Sequence, residues 1–487
     1  VIIERFTCSK EDFLFISLPF IVGLKKSQHI AIAIAKKTLK LLNCCTYARN
    51  DLRNNRREFT QQLAQRIATI CATDYHHGVM RHTTIPILLF GAFDRHNFGD
   101  LLFAHVATRL LDGRHVLFAG LAERDLRACG GHRVKNVLRL ASRWCNRSLD
   151  IVHVGGELLT CSAWEAAVML LPQDEVQTIF ARFDATPNER MHWAQEQLGL
   201  LSHVSTSFMP YVLPRSMFPK TASMIFHAVG GVDLDALDAA MRSEVLEKLR
   251  CADHVSVRDG RTHSHLAAAG IAAELVPDPA VMTAELFGPQ ILSRTMQGEA
   301  ARIAQAFPQG YLAVQCSADF GNDRTLNDIA AQLDEAVDAT SLGIAFFRAG
   351  AAPWHDDIAC YERITVRMRS RAAIFHSLDL WDICALVAGS RAYLGSSLHG
   401  RIIAMAYALP RVNLRHPAHG KRMTKQEAYA ATWDVPEMPG AIDVPAIVDG
   451  LRAALAVNRE RLQQVAIELV AEYQHGFDAV SRHLAPL

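Results

Sequence analysis

Between positions 85 and 415 short apolar runs alternate with stretches of helical periodicity. Ile85-Pro-Ile-Leu-Leu-Phe90 has the composition of a buried strand. A polar loop, Gly91 to Asp100, leads into a predicted helix from Leu101 to Leu111, apolar on most faces, with Asp100 placed as its N-cap. The run ending at Val154 meets Gly155-Gly156-Glu157, with a helix predicted near Trp164 to Leu171. Met224 to Val229 runs into Gly230-Gly231, and His254-Val-Ser-Val257 ends at Arg258-Asp259. The helix after it stops at Gly270. Beyond a bridging stretch near 283–307, strands are expected at Tyr311–Gln315 and Gly343–Phe347, with helices at Leu326–Thr340 and Leu380–Ala388 and a short apolar run at Ala373–His376. The run closing at Leu394 gives way to Gly395-Ser396-Ser397, then to an Ala-rich helix that must stop at Pro410, then to the strand Arg411–Leu414. From Val444 the chain reads as helical to about Arg482, with one break.

Strand followed by helix, repeated, predicts parallel sheets covered by helices. The expected fold class is therefore α/β: two Rossmann-like β/α domains facing each other across a cleft, residues 84–290 and 291–487. Residues 1–83 do not share the pattern. They combine a basic helical stretch from Ile30 to Leu42, an Arg/Asn-rich run from Asn50 to Arg57 and a histidine-bearing linker at His76, His77 and His82. They are expected to form an N-terminal helical extension outside the cleft.

Composition removes several classes of function. With 51 Lys and Arg against 50 Asp and Glu, the chain has no broad basic surface for nucleic acid. Its eleven cysteines show no CxxC pair and read as reduced thiols, which predicts a cytoplasmic setting. The apolar run Phe13–Leu24 contains Ser17, Pro19 and Gly23 and is too short to span a bilayer. It follows Glu11-Asp12 rather than a basic flank, so it is a poor signal peptide; peripheral contact with a membrane stays open. No dinucleotide fingerprint or P-loop occurs, and no ligand spacing points to a metal.

The candidate chemistry lies at strand ends. His399 falls in the first turn of a helix, beside free N–H groups and the positive end of the dipole. Ser396 and Ser397 precede it, and Arg401 is two residues on. Arg258 and Arg348 each follow the last residue of a strand. Guanidinium groups clamp carboxylate and phosphate at two points, and a cleft histidine exchanges protons near neutral pH. Asn97, Gly99 and Asp100, with Gly155 and Gly156, form the opposing cleft loops. Each has a plainer alternative: His399 packing or capping, Arg258 paired with a surface acid, Arg401 on a solvated helix face, Asn97 and Asp100 as turn and cap residues.

Four motifs, taken in order, resemble the polysaccharide pyruvyl transferases: Asn97-Phe-Gly-Asp-Leu-Leu102; Val154-Gly-Gly156; Ser256-Val-Arg-Asp259 with Pro277-Asp-Pro279; and Gly395-Ser-Ser-Leu-His-Gly400 with Ala408-Leu-Pro410. The resemblance spans about residues 85–415 and leaves the first 83 without a counterpart. It implies a GT-B-like fold and the transfer of pyruvate from phosphoenolpyruvate to two hydroxyls of a sugar, giving a cyclic ketal in surface or exopolysaccharide biosynthesis. It implies no cofactor beyond phosphoenolpyruvate as donor substrate, no metal, and a glycan or lipid-linked saccharide as acceptor. By this likeness His399 matches the histidine of the donor site and Arg258 an arginine near the donor's acidic groups, the two expected catalytic residues. Some family members carry arginine where this chain has Ser397, so Arg401, Arg348 or the helix N-terminus is expected to supply that donor contact, with Ser396 and Ser397. Two readings compete: a GT-B glycosyltransferase using a sugar nucleotide, and a non-catalytic polysaccharide-binding or assembly protein.

Overall fold

The computed structural model describes residues 85–183, 186–201, 207–420 and 422–486. The expected N-terminal extension lies outside them.

Two separate sheets organise the described chain, as the sequence leads one to expect. The first holds β1 (Ile87–Phe90), β2 (Val116–Gly120), β3 (Arg124–Asp125), β4 (Arg133–Asn136), β5 (Leu149–Val154), β6 (Thr221–Val229), β7 (His254–Val257) and β8 (Glu274–Leu275), in the order β3-β4-β2-β1-β5-β6-β7-β8. The second holds β9 (Tyr311–Gln315), β10 (Gly343–Phe346), β11 (Ala372–Ile374), β12 (Ala392–Gly395), β13 (Arg411–Leu414) and β14 (Ala441–Ile442), in the order β11-β10-β9-β12-β13-β14. Every pairing is parallel except β3 with β4.

The pleat explains the layers. Successive side chains of a strand face opposite ways. In β1, Ile87 and Leu89 enter one core cluster while Leu88 and Phe90 enter another. A strand apolar on both faces needs cover on both, which is why such runs go to the middle of a parallel sheet. The cluster holding Ile87 and Leu89 continues into the second sheet and into the C-terminal helix.

Several boundaries differ from expectation. The helix after β1 is Phe98–Leu110, three residues earlier than predicted. Its cap is Asn97, whose side chain accepts from Gly99 N at 3.2 Å; Asp100 lies inside the first turn. The fully buried Phe98 belongs to the helix because its ring is needed in the core. The break in the C-terminal helical region falls at Asn458, which caps the long helix Arg459–His483. That helix returns to the first sheet. Ser223 Oγ donates to His483 O, Ala485 N donates to Asp150 at 3.1 Å, and the rings of Tyr473 and Phe477 meet His227 of β6.

Candidate active site

In each sheet the strand order reverses direction once. The chain moves from β1 to β2 on one side while β5 lies on the other; β9 has β10 on one side and β12 on the other. Crevices at the carboxyl ends of such strands are where parallel sheets take ligands. Here the loops after β1, β5, β7, β9 and β12 line one cavity of about 960 Å³. Asn97, Asp100, Arg258, Ser396, Ser397 and His399 are all on its wall.

The loop after β1 is held from behind. Asp94 accepts from Leu121 N at 2.6 Å, Ala122 N at 3.0 Å and the Tyr211 hydroxyl at 2.9 Å. The next residue, Arg95, is thereby turned onto the cavity wall. Its Nη1 donates to Tyr211 at 2.6 Å and its guanidinium lies 5.1 Å from that ring's centre. Its Nε is buried without a partner, and it forms no ion pair among the described residues. Further along, the loop is stitched to the segment after β10. Phe98 N donates to Ala349 O at 2.9 Å, His96 Nδ1 accepts from Ala351 N at 3.0 Å, and His96 Nε2 donates to Leu378 O at 2.8 Å. The Asn97 amide donates to His355 Nε2 at 3.2 Å.

The loop after β12 delivers His399. Ser397 caps the helix Leu398–Ala406 by accepting from Gly400 N at 3.2 Å. The His399 ring is 7 % exposed and meets the edges of Phe98 and Phe103, with centroids 6.2 and 5.2 Å away. It lies directly on Gly99: a Cβ there would stand 2.0 Å from the ring, so only glycine fits. Gly155 has the same kind of necessity, with φ of +58° and Phe103 2.6 Å from where a Cβ would be. His399 Nε2 stands 3.8 Å from Asp278 Oδ2, beyond hydrogen-bond reach, and has no partner among the described residues. Burial, then the charges of Arg258, Lys425 and His355, hold its pKa well below the ordinary histidine value, so the ring is neutral.

Arg258 is on the cavity wall but already engaged. Its Nη2 donates to Glu157 at 2.7 Å and its Nη1 to Asp278 at 2.9 Å, while Trp433 Nε1 donates to its carbonyl at 2.8 Å. Burial opposes its charge, and the two carboxylates more than offset that. It is thus paired with the fully buried Asp278 and with Glu157, a quarter exposed, both from other elements. Asp100, also on the wall, is pushed up to about 6 by burial, held back by Arg95, Arg258 and Lys425. Lys425 opens the helix Lys425–Trp433, whose N-terminus Thr424 caps with a reciprocal Glu427 contact.

Two expected donor contacts are not brought to the wall. Arg401 is fully buried behind its helix, donating to Asp434 at 2.5 Å, Asn413 at 3.0 Å and Pro439 O at 3.1 Å. It reaches neither the cavity nor solvent. Arg348 points to His376 O at 3.4 Å and is absent from the wall. Gly155 and Gly156 shape the loop that presents Glu157 without lining the cavity themselves. Sequence reasoning passed over Arg95, Glu157, Asp278 and Lys425. Arg95 stood in the quoted loop and Asp278 in the Pro-Asp-Pro motif; Lys425 carried no signal. Among the described residues, no three His, Cys, Asp or Glu side chains are grouped to hold a metal, and no helix is long and apolar enough to cross a membrane.

Residues 231–416 match the family model for polysaccharide pyruvyl transferase. The match takes in Arg258, Asp278 and His399 and bears out the resemblance read from the motifs in that segment. No curated protein matches the chain. Among solved structures, the MnaA–UDP complex of S. aureus is 10 % identical, with 81 % of this chain and 97 % of that one covered and a TM-score of 0.46. The UDP-GlcNAc 2-epimerase of Methanocaldococcus jannaschii, bound to UDP-GlcNAc and UDP, is 9 % identical over 80 % of this chain and 100 % of that one, TM-score 0.42. The trehalose 6-phosphate synthase of Burkholderia multivorans is 11 % identical over 82 % and 98 %, TM-score 0.43.

Proposed function

We propose that this chain transfers the pyruvyl group of phosphoenolpyruvate to two hydroxyls of a sugar, forming a cyclic ketal on a glycan or lipid-linked saccharide of a surface polysaccharide. The observation that carries this reading is the cavity wall itself. Arg95 and Lys425, neither ion-paired to a described residue, stand on one wall with the neutral His399 and the start of its helix. Such a wall suits a small, multiply charged anion that must also exchange protons. The family match over residues 231–416 supports the same reaction class.

Phosphoenolpyruvate presents a carboxylate and a phosphate. Arg95, Lys425 and the N–H groups around Ser396 and Ser397 hold that charge and take over the contact that some family members draw from an arginine at the Ser397 position. Protonation of the methylene carbon makes the adjacent carbon electrophilic, and one sugar hydroxyl adds there. Phosphate then leaves and the second hydroxyl closes the ketal. Arg258, bound to Glu157 and Asp278, fixes the floor beside His399, and His399 handles a proton in the transfer.

The test is phosphate release from phosphoenolpyruvate across a panel of acceptor glycans, with His399→Ala alongside. Release by the wild type and a loss of about 100- to 10,000-fold in a folded His399→Ala protein are expected. Release of a nucleoside diphosphate from a sugar nucleotide, with none from phosphoenolpyruvate, overturns the reading in favour of glycosyl transfer. Stabilisation by glycan alone, with neither release, favours a binding protein.

A further inference from the structure

Asp100 occupies the third position of the helix Phe98–Leu110, where a carboxylate ordinarily bends back to the N-cap. It does not do so here: the Asn97 N–H that it would reach donates instead to Arg95 O at 3.1 Å. The residue is only 5 % exposed, yet its carboxyl makes no hydrogen bond to any described residue and lies on the cavity wall. Nearly every buried polar group in a folded protein has a partner, so one held free against a ligand cavity marks function. Its surroundings are built for it. Gly156 turns away with φ of +79°, and a Cβ there would stand 3.4 Å from Asp100 Oδ1. The adjacent Gly99 carries the His399 ring, so carboxyl and imidazole flank one turn of one helix.

We propose that the Asp100 carboxyl is the acid that protonates the methylene carbon of phosphoenolpyruvate, with His399 taking the proton of the first attacking hydroxyl. This rests on the function proposed above. The steps close as a cycle. The O–H bond of Asp100 breaks, a C–H bond forms at the methylene carbon, and the double-bond electrons supply it. The sugar oxygen bonds to the adjacent carbon and its proton goes to His399. The carbon–oxygen bond to phosphate then breaks, the electron pair leaving with phosphate, which takes the proton from His399. The second hydroxyl bonds to the same carbon and returns a proton to Asp100. No other reactant is needed, and both side chains end as they began.

The environment agrees with these roles. A carboxyl raised to about 6 is protonated far more often near neutrality than an ordinary aspartate. A histidine lowered well below its usual value is free to accept. The charged groups facing Asp100 are Arg95, Arg258, Lys425 and Asp278. A bound anionic donor offsets the first three and raises Asp100 further.

The experiment compares wild type with Asp100→Asn, which keeps the shape. It follows circular dichroism, phosphoenolpyruvate affinity by calorimetry, single-turnover phosphate release, and the pH profile of kcat/KM. Asp100→Asn should stay folded, bind the donor within a few-fold, and lose about 100- to 10,000-fold in release. In the wild type kcat/KM should fall as pH rises through about 6, the acid losing its proton; in Asp100→Asn that limb should vanish. A purely structural role would leave the limb in place. An active wild type beside an Asp100→Asn protein with near-normal release and an unchanged limb overturns the inference alone. A wild type that releases no phosphate from phosphoenolpyruvate overturns the proposed function, and this inference with it.

Discussion

Arg401 and Arg411 with Asp434, and Arg258 with Glu157 and Asp278, are both charge clusters built on buried guanidiniums, but they are built to opposite balances. The first sets two fully buried guanidiniums against one carboxylate. Arg411 holds Asp434 at two points, 2.9 and 2.5 Å, and its remaining nitrogen donates to Leu409 O at 2.8 Å. Every charged arm ends on protein, leaving nothing for a ligand. The second sets one guanidinium against two carboxylates and opens on the cavity. Arg95 and Lys425 stand on the same cavity wall with no ion pair to a described residue, and with Arg258 they face Asp100. An arginine's burial therefore says little about its use; the balance around it, and the space beside it, say more.

The comparison can be broken most forcefully at Asp434. Asp434→Asn leaves two buried cations facing each other, and loss of one partner of a buried pair costs about 3–5 kcal/mol. Denaturant unfolding should show that loss, while the folded fraction should bind phosphoenolpyruvate with unchanged affinity. Weakened donor binding in folded protein would mean that this cluster also serves the cavity.

Arg258→Ala should act on binding first. Removing a charged hydrogen-bonding partner beside an anion site is worth about 1.5–3 kcal/mol, roughly ten- to a hundredfold in affinity. Stability should suffer most at high pH. Asp278 already sits above the ordinary carboxylate range, burial being the largest cause and Arg258 restraining it. Without Arg258 its folded-state pKa rises further, and a carboxyl raised on folding loses stability as pH climbs from its unfolded to its folded value. The gap between variant and wild type in thermal unfolding should therefore widen from pH 5 to pH 8. A gap independent of pH would remove Asp278 from the account.

Lys425→Ala is the gentlest probe. The side chain is exposed at the rim, so donor affinity should fall by no more than about tenfold, and the difference should fade as salt rises beyond 0.1 M. An effect insensitive to salt would place the ammonium in direct, dehydrated contact with the donor.

How much of this was legible depends on whether the information is local. The unit from Ala392 to Leu414 reads directly from the chain, because a small-residue turn and Pro410 bracket it. Arg401 was misplaced although the chain held the answer: residues two apart on a helix point to nearly opposite sides, so it could not share the cavity with His399. Asn97 and Asp100 both offer a capping oxygen, and only the burial of Phe98 decides between them. The partners of Arg258 lie 101 and 20 residues away, a distance no pattern bridges. The sequence reading assigns nothing between 112 and 149, where β2, β3 and β4 lie; β3 and β4 are short and largely polar at the sheet edge, so apolar periodicity does not mark them.

The seam between the loop after β1 and the segment after β10 bears on how a substrate enters and a product leaves. Hinge bending would have to part Phe98 from Ala349, His96 from both Ala351 and Leu378, and Asn97 from His355. Each such bond contributes about 0.5–1.5 kcal/mol, and together they oppose any wide gape of the two sheets. Exchange through the mouth of a cleft already closed at its root asks less of the fold. The traffic of ligands then falls to the rim near Lys425, while the side chains at the root of the cavity keep their spacing as ligands come and go.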